Sequence, residues 1–158
     1  MKFTDTERVI LANQYEILGK LGDDQAYLDL AENLRYGHEW IYNQKISVSP
    51  IFTEEKSDFV VSILELYEVI QNSFDALSDK GSLTADRVKF PGFDGNNEGE
   101  YMRFFSALVE NDQFAHVKAN KNSHMQKVST YTNMLDKWES LGKDYQLSLD
   151  DIEAILGR

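Results

Sequence analysis

The sequence predicts an all-α fold: a compact single-domain helical bundle of about six to eight helices around one long central helix. Three observations predict it. The 158 residues include 2 Pro and 9 Gly, too few breakers for a turn-rich β architecture. Apolar residues recur every three or four positions over several long stretches, most strongly between Glu54 and Leu77. Helix-start signals precede three of those stretches, at Thr4-Asp5-Thr6-Glu7, Thr53 and Ser148.

The first helix opens on the Thr4/Glu7 capping box, and Val9, Ile10, Ala12, Asn13, Ile17 and Leu21 recur along it at helical spacing. Gly19 and Gly22 are expected to end it, with Asp23 and Asp24 placed to cap the next helix. That second helix is expected from about Gln25 to Tyr36, with Ala26, Leu30, Ala31 and Leu34 as its apolar stripe and Gly37 as its stop. His38 to Pro50 reads as a short helix followed by an extended connection. Thr53 then caps the long helix, whose stripe is Phe59, Ile63, Leu66, Tyr67, Ile70, Phe74 and Leu77. Val60, Val61, Leu64 and Val69 widen its apolar surface, as expected of a helix that is central or lies at a subunit interface.

Most of the irregular chain falls between residues 79 and 97. A helix from about Glu98 to Glu110 follows, with Phe104, Phe105, Leu108 and Val109 expected inside. After a broken stretch from Asn111 to Asn122 comes a helix from about Ser123 to Leu141. Met125, Val128, Tyr131, Leu135 and Trp138 share its apolar side. Ser148-Leu149-Asp150-Asp151 starts a last short helix, its acidic residues favourable at the positive helix end. No repeat, linker or domain boundary is visible, so residues 1–158 read as one domain.

Composition narrows the function. Cysteine is absent, which excludes disulfides, thiolate metal sites and a cysteine nucleophile. No secretory leader and no apolar run near the roughly 20 residues of a membrane span are visible, so a cytoplasmic protein without membrane contact is expected. The net charge of −11 repels phosphate backbones and argues against nucleic acid. Residues 1–79 hold 6 Lys/Arg and 15 Asp/Glu, a balance of −9, against 10 and 12, a balance of −2, from residue 80 onward. An acidic face of that kind suits a basic protein partner.

No GxSxG elbow, HExxH, Walker or dinucleotide-binding glycine pattern occurs. His38, His116 and His124 are not spaced as two ligands on one helical turn. Asp94, Asn96, Glu98 and Gly99 match the first, third, fifth and sixth places of a calcium loop, but the twelfth place, which needs Glu, is Phe105. No metal and no cofactor are expected. Lys118, Lys121, His124 and Lys127 form a small basic cluster that reads as a solvated face. Arg87 to Asp94 is more specific: Phe90 and Phe93 bracket a Pro-Gly turn beside Arg87 and Lys89. Such a turn is either an interface anchor or a plug folded into the core.

Several blocks resemble the YfbU family of small bacterial proteins. They are residues 8–15 (RVILANQY), Tyr36-Gly37, Glu65-Leu66-Tyr67, residues 87–94 (RVKFPGFD), residues 131–138 (YTNMLDKW) and residues 145–148 (YQLS). They occur in order and span nearly the whole chain. The resemblance implies an all-helical, cytosolic protein and fits an oligomer. It carries over no reaction, cofactor or catalytic residue, and residues 111–123 look shorter than the family's usual version.

The function expected is that of a non-enzymatic, self-associating interaction module, a homo-oligomer in which the long helix or the Phe90–Phe93 turn supplies the contact. The alternative is an enzyme or small-ligand binder with a polar pocket between the first helix and the Arg87–Asp94 loop. Across both readings, the residues nominated for a ligand or partner surface are Arg8, Asn13, Gln14, Glu65, Tyr67, Arg87, Phe90, Phe93 and Asp94.

Overall fold

Local capping starts the first helix. In the computed structural model, which describes residues 1–157, Thr4 Oγ1 accepts from the Glu7 backbone N–H at 3.3 Å, and the Glu7 carboxylate accepts from the Thr4 N–H at 2.8 Å. Helix α1 then runs Asp5–Gly22 and ends on Asp23, which takes the left-handed conformation at φ 49°. Asp24 caps α2, Gln25–Tyr36, by accepting from the Ala26 N–H at 2.8 Å. Gly37 ends α2 at φ 73°, a conformation that costs glycine nothing. The short α3, Glu39–Asn43, follows.

The helix does not stop at Gly19. This glycine is buried inside α1, where an added Cβ would lie 2.7 Å from Leu28 Cδ2 and 3.1 Å from the Asp24 carbonyl oxygen. It lets α1 and α2 approach closely as an antiparallel hairpin. The hairpin buries Ala12, Leu30, Ala31, Leu34 and Tyr42, with Phe3, Leu11, Tyr15 and Ile46 packed against them. The face α1 turns to α2 is therefore made mainly of small or partly polar residues. Val9, Ile10, Ile17 and Leu21 instead face outward.

The chain divides into two compact units, Met1–Ile51 and Phe52–Arg158. In the second, Thr53 caps α4, Glu54–Ala76, by accepting from the Lys56 N–H. Val60, Ile63, Leu64, Leu66, Tyr67, Val69, Ile70 and Phe74 of α4 are buried. Each such side chain contributes about 1.5–3 kcal/mol of burial. They pack against α5 (Gly99–Glu110), α6 (Val128–Ser140) and α7 (Leu149–Ile155). The long helix is central, and its wide apolar surface is consumed by its own unit's core.

Irregular chain completes that core. Leu83, Val88, Phe90 and Phe93 are buried between α4 and α5 in sequence, and Val117 after α5. Two isolated parallel bridges, Phe90 to Ala119 and Phe93 to Asn122, join the segments. Among the described residues there are seven helices and no sheet.

In the second unit, two further positions differ from expectation. Val109 is partly exposed rather than inside, and Met125 is exposed and precedes α6. Helix α6 starts at Val128 because His124 adopts a left-handed φ of 55° and Ser123 bonds back onto Met125, which breaks helical continuation. The α7 start follows expectation, with a Ser148/Asp151 capping box.

Candidate functional site

The Pro-Gly turn is held by its own aromatics. Phe90 and Phe93 are fully buried, stacking edge to face on each other at 5.6 Å. Phe90 also meets Tyr67 and Phe105, and Phe93 meets Tyr131. The Tyr131 hydroxyl donates to the Gly92 carbonyl at 2.6 Å and fixes the turn from inside. Gly92 has φ 84°, and a Cβ there would lie 2.6 Å from the Asn120 carbonyl oxygen. Nominated as partner surface, Phe90, Phe93 and Tyr67 belong to the core. Burial pushes the Tyr67 and Tyr131 hydroxyls up, well above the range in which a phenol ionises near neutrality.

Asp94 and Glu98 spend their carboxylates on nearby N–H groups. Asp94 is buried and accepts from the Asn97 side chain and the Asn96 N–H, which together hold its carboxyl below the usual carboxylate range. Glu98, also buried, accepts from the N–H groups of Asp94 (3.0 Å), Lys127 (2.7 Å) and Val128 (2.8 Å). It caps the start of α6 from 30 residues away, where the helix end favours negative charge. These oxygens, read in the sequence as calcium-loop positions, serve N–H donors. Arg87 is exposed, and the structure shows no hydrogen bond or ion pair between it and Asp94.

Gln71, which sequence reasoning did not nominate, has a comparable role. Its amide donates to the carbonyls of Val88 (3.1 Å) and Lys118 (2.9 Å) and accepts from the Lys118 N–H (2.8 Å). It ties α4 to both bridged segments. Its signal was available: a polar residue next to Ile70 on the apolar side of α4.

In the first unit, Arg8 donates to the Leu34 carbonyl at 3.1 Å and pairs with Asp5. It closes the C-terminal end of α2 beside Gly37. Asn13 accepts from Arg35, which also pairs with Glu16, so it belongs to the hairpin's polar edge. Gln14 is exposed. Glu65 is exposed too and lines a groove of about 380 Å³ with Ser62, Leu135, Trp138, Glu139, Lys143 and Tyr145. The nominated residues thus fall into separate structural settings, and most serve local structure.

What stays open is the outer face of α1. Val9 and Ile10 are 53% exposed, Ile17 57%, Leu18 48% and Leu21 82%. Ile10, Gln14, Ile17 and Leu21 are spaced four, three and four apart, the spacing of a helix-pairing seam. Trp40 on α3 is 77% exposed as well.

These features define an all-helical protein that carries an open apolar helix face and uses Gln71, Asp94 and Glu98 to hold its own loops and helix starts. No described helix is long and apolar enough to cross a membrane. The sequence profile of the YfbU domain matches residues 1–157, and the chain belongs to the YfbU family. Similar proteins include a UPF0304 protein of Mannheimia succiniciproducens, 30% identical over 99% of both chains. Another, of Methanocaldococcus jannaschii, is 32% identical over 95% of this chain and 96% of its own. A third, of Pasteurella multocida, is 31% identical over 99% of both.

Proposed function

We propose that the protein is a non-enzymatic, self-associating interaction module. The observation that carries this reading is the outward stripe of α1, where five large aliphatic side chains lie about half exposed or more on one helix. Scattered surface apolar residues are ordinary, but five on the outward side of one helix, broken only around Gln14, mark a contact surface. Covering each of these side chains contributes about 1 kcal/mol, half or less of full burial. The acidic balance of the chain adds a basic protein as the favoured second kind of partner. The contact surface differs from the ones first expected, since the α4 face and the Phe90–Phe93 turn are both core.

Sedimentation velocity over a hundredfold range of protein concentration tests the reading. An oligomer that dissociates on dilution, and that Ile17→Asp weakens without loss of helical circular dichroism, is the expected result. A monomer at every concentration overturns self-association.

A further inference from the structure

We propose that the α1 stripe is covered by the same stripe of a second copy, with the two α1 helices antiparallel; this rests on the self-association reading above. The stripe is self-complementary. Antiparallel pairing at its 4-3-4 spacing sets Ile10 opposite Leu21 of the second copy and Gln14 opposite Ile17, in mutually consistent layers. The contact maps onto itself under a two-fold axis and closes as a dimer.

Two further observations favour this occupant and direction. Helix α1 has 18 residues, about 27 Å of contact length. A stripe that long, covered on both copies, buries on the order of 1,000 Å² in total, the lower limit for a specific interface and the range of weak, dissociable ones. Within each copy α1 already lies antiparallel to α2, as the pairs Arg8–Leu34 and Gly19–Leu28 show. An antiparallel α1 pair through the face opposite α2 then gives a row of four helices, α2-α1-α1-α2, in which each neighbour is antiparallel and the helix dipoles oppose. Gln14 is the one polar residue in the seam.

The chain contains no cysteine, so introduced thiols report geometry directly. Ile10→Cys and Leu21→Cys variants are mixed, oxidised and compared with each variant alone, alongside sedimentation of the unmodified chain. Antiparallel pairing predicts a disulfide in the mixture and none in either variant alone, because like positions then lie about 16 Å apart along the helix, beyond the roughly 7 Å a disulfide spans. A dimer in which Ile10→Cys cross-links with itself overturns the antiparallel register and leaves self-association standing. A dimer with no cross-link in any sample overturns the Ile10–Leu21 register, again leaving self-association standing. A monomer overturns both readings and assigns the stripe to another occupant.

Discussion

Glu98 carries a large share of the order in the second unit through three N–H groups. Hydrogen bonds to a charged acceptor contribute about 1.5–3 kcal/mol each, and buried donors left without a partner add a desolvation cost. Glu98→Ala is expected to destabilise the protein by about 3–5 kcal/mol in urea titration, with the first turn of α6 losing amide-exchange protection before the rest of the helix. Asp94 makes the pH dependence explicit. Its carboxyl is held low in the folded state by the Asn97 side chain and the Asn96 N–H. That stabilisation is complete above the unfolded value near ~3.9 and is lost as pH falls through the lower folded value. Thermal melts between pH 2 and 7 are expected to fall steeply at the acid end, and Asp94→Asn flattens that limb. At Phe93 the same scale of reasoning applies to packing: Phe93→Ala costs about 3–5 kcal/mol, read by chemical denaturation. The oxygen-rich loop at 94–98 was visible in the sequence, but an oxygen acceptor serves a cation or an N–H donor equally well. Which one it meets depends on Lys127 and Val128, 30 residues on, and no local pattern reveals that.

Helix α1 shows why elements were easier to find than to orient. Its start and its end near Gly22 follow from capping and glycine signals that act within a few residues. Its orientation does not, because the surface that meets α2 is built on Ala12 and Gly19, and small residues leave no periodic signal. The stronger apolar row, Ile10, Ile17 and Leu21, then reads as the core face although it points out. Gly19→Ala tests the close approach. Alanine gains about 1 kcal/mol of helix propensity but must displace Leu28 and crowd the Asp24 carbonyl, with overpacking costs of about 1–3 kcal/mol. A net loss of about 1 kcal/mol in thermal unfolding is expected. In α4 every level agreed: cap, periodicity and burial all pointed to a central helix. For α6 the start was misplaced because Glu98 and the left-handed His124, rather than a residue at Ser123, define it.

For the whole molecule, the division near residue 51 was not legible. Residues 44–51 carry a loop signal in Ser47, Ser49 and Pro50, but Ile46, Val48 and Ile51 are interleaved with it, so the stretch reads as a connection within one domain rather than a linker. The all-α class was legible, because breaker content and helix periodicity are properties of the chain as a whole. Association through α1 has a consequence at this scale. Stability gained by mass action rises with concentration, so the midpoint of the calorimetric transition involving the first unit is expected to climb as protein is concentrated, while Ile17→Asp removes the dependence.

The Leu147 N–H donates to the hydroxyl of Ser73, 74 residues earlier, at 3.0 Å. The α1–α2 hairpin, by contrast, completes its core within the first 46 residues, Tyr42 and Ile46 included. Local contacts form early, and distant ones wait for loop closure. On the ribosome, the N-terminal hairpin can therefore complete itself long before the C-terminal strand of contacts is synthesised. A nascent chain would then display its α1 row while the rest is still emerging, and neighbouring nascent chains on one message could meet through it before either is finished.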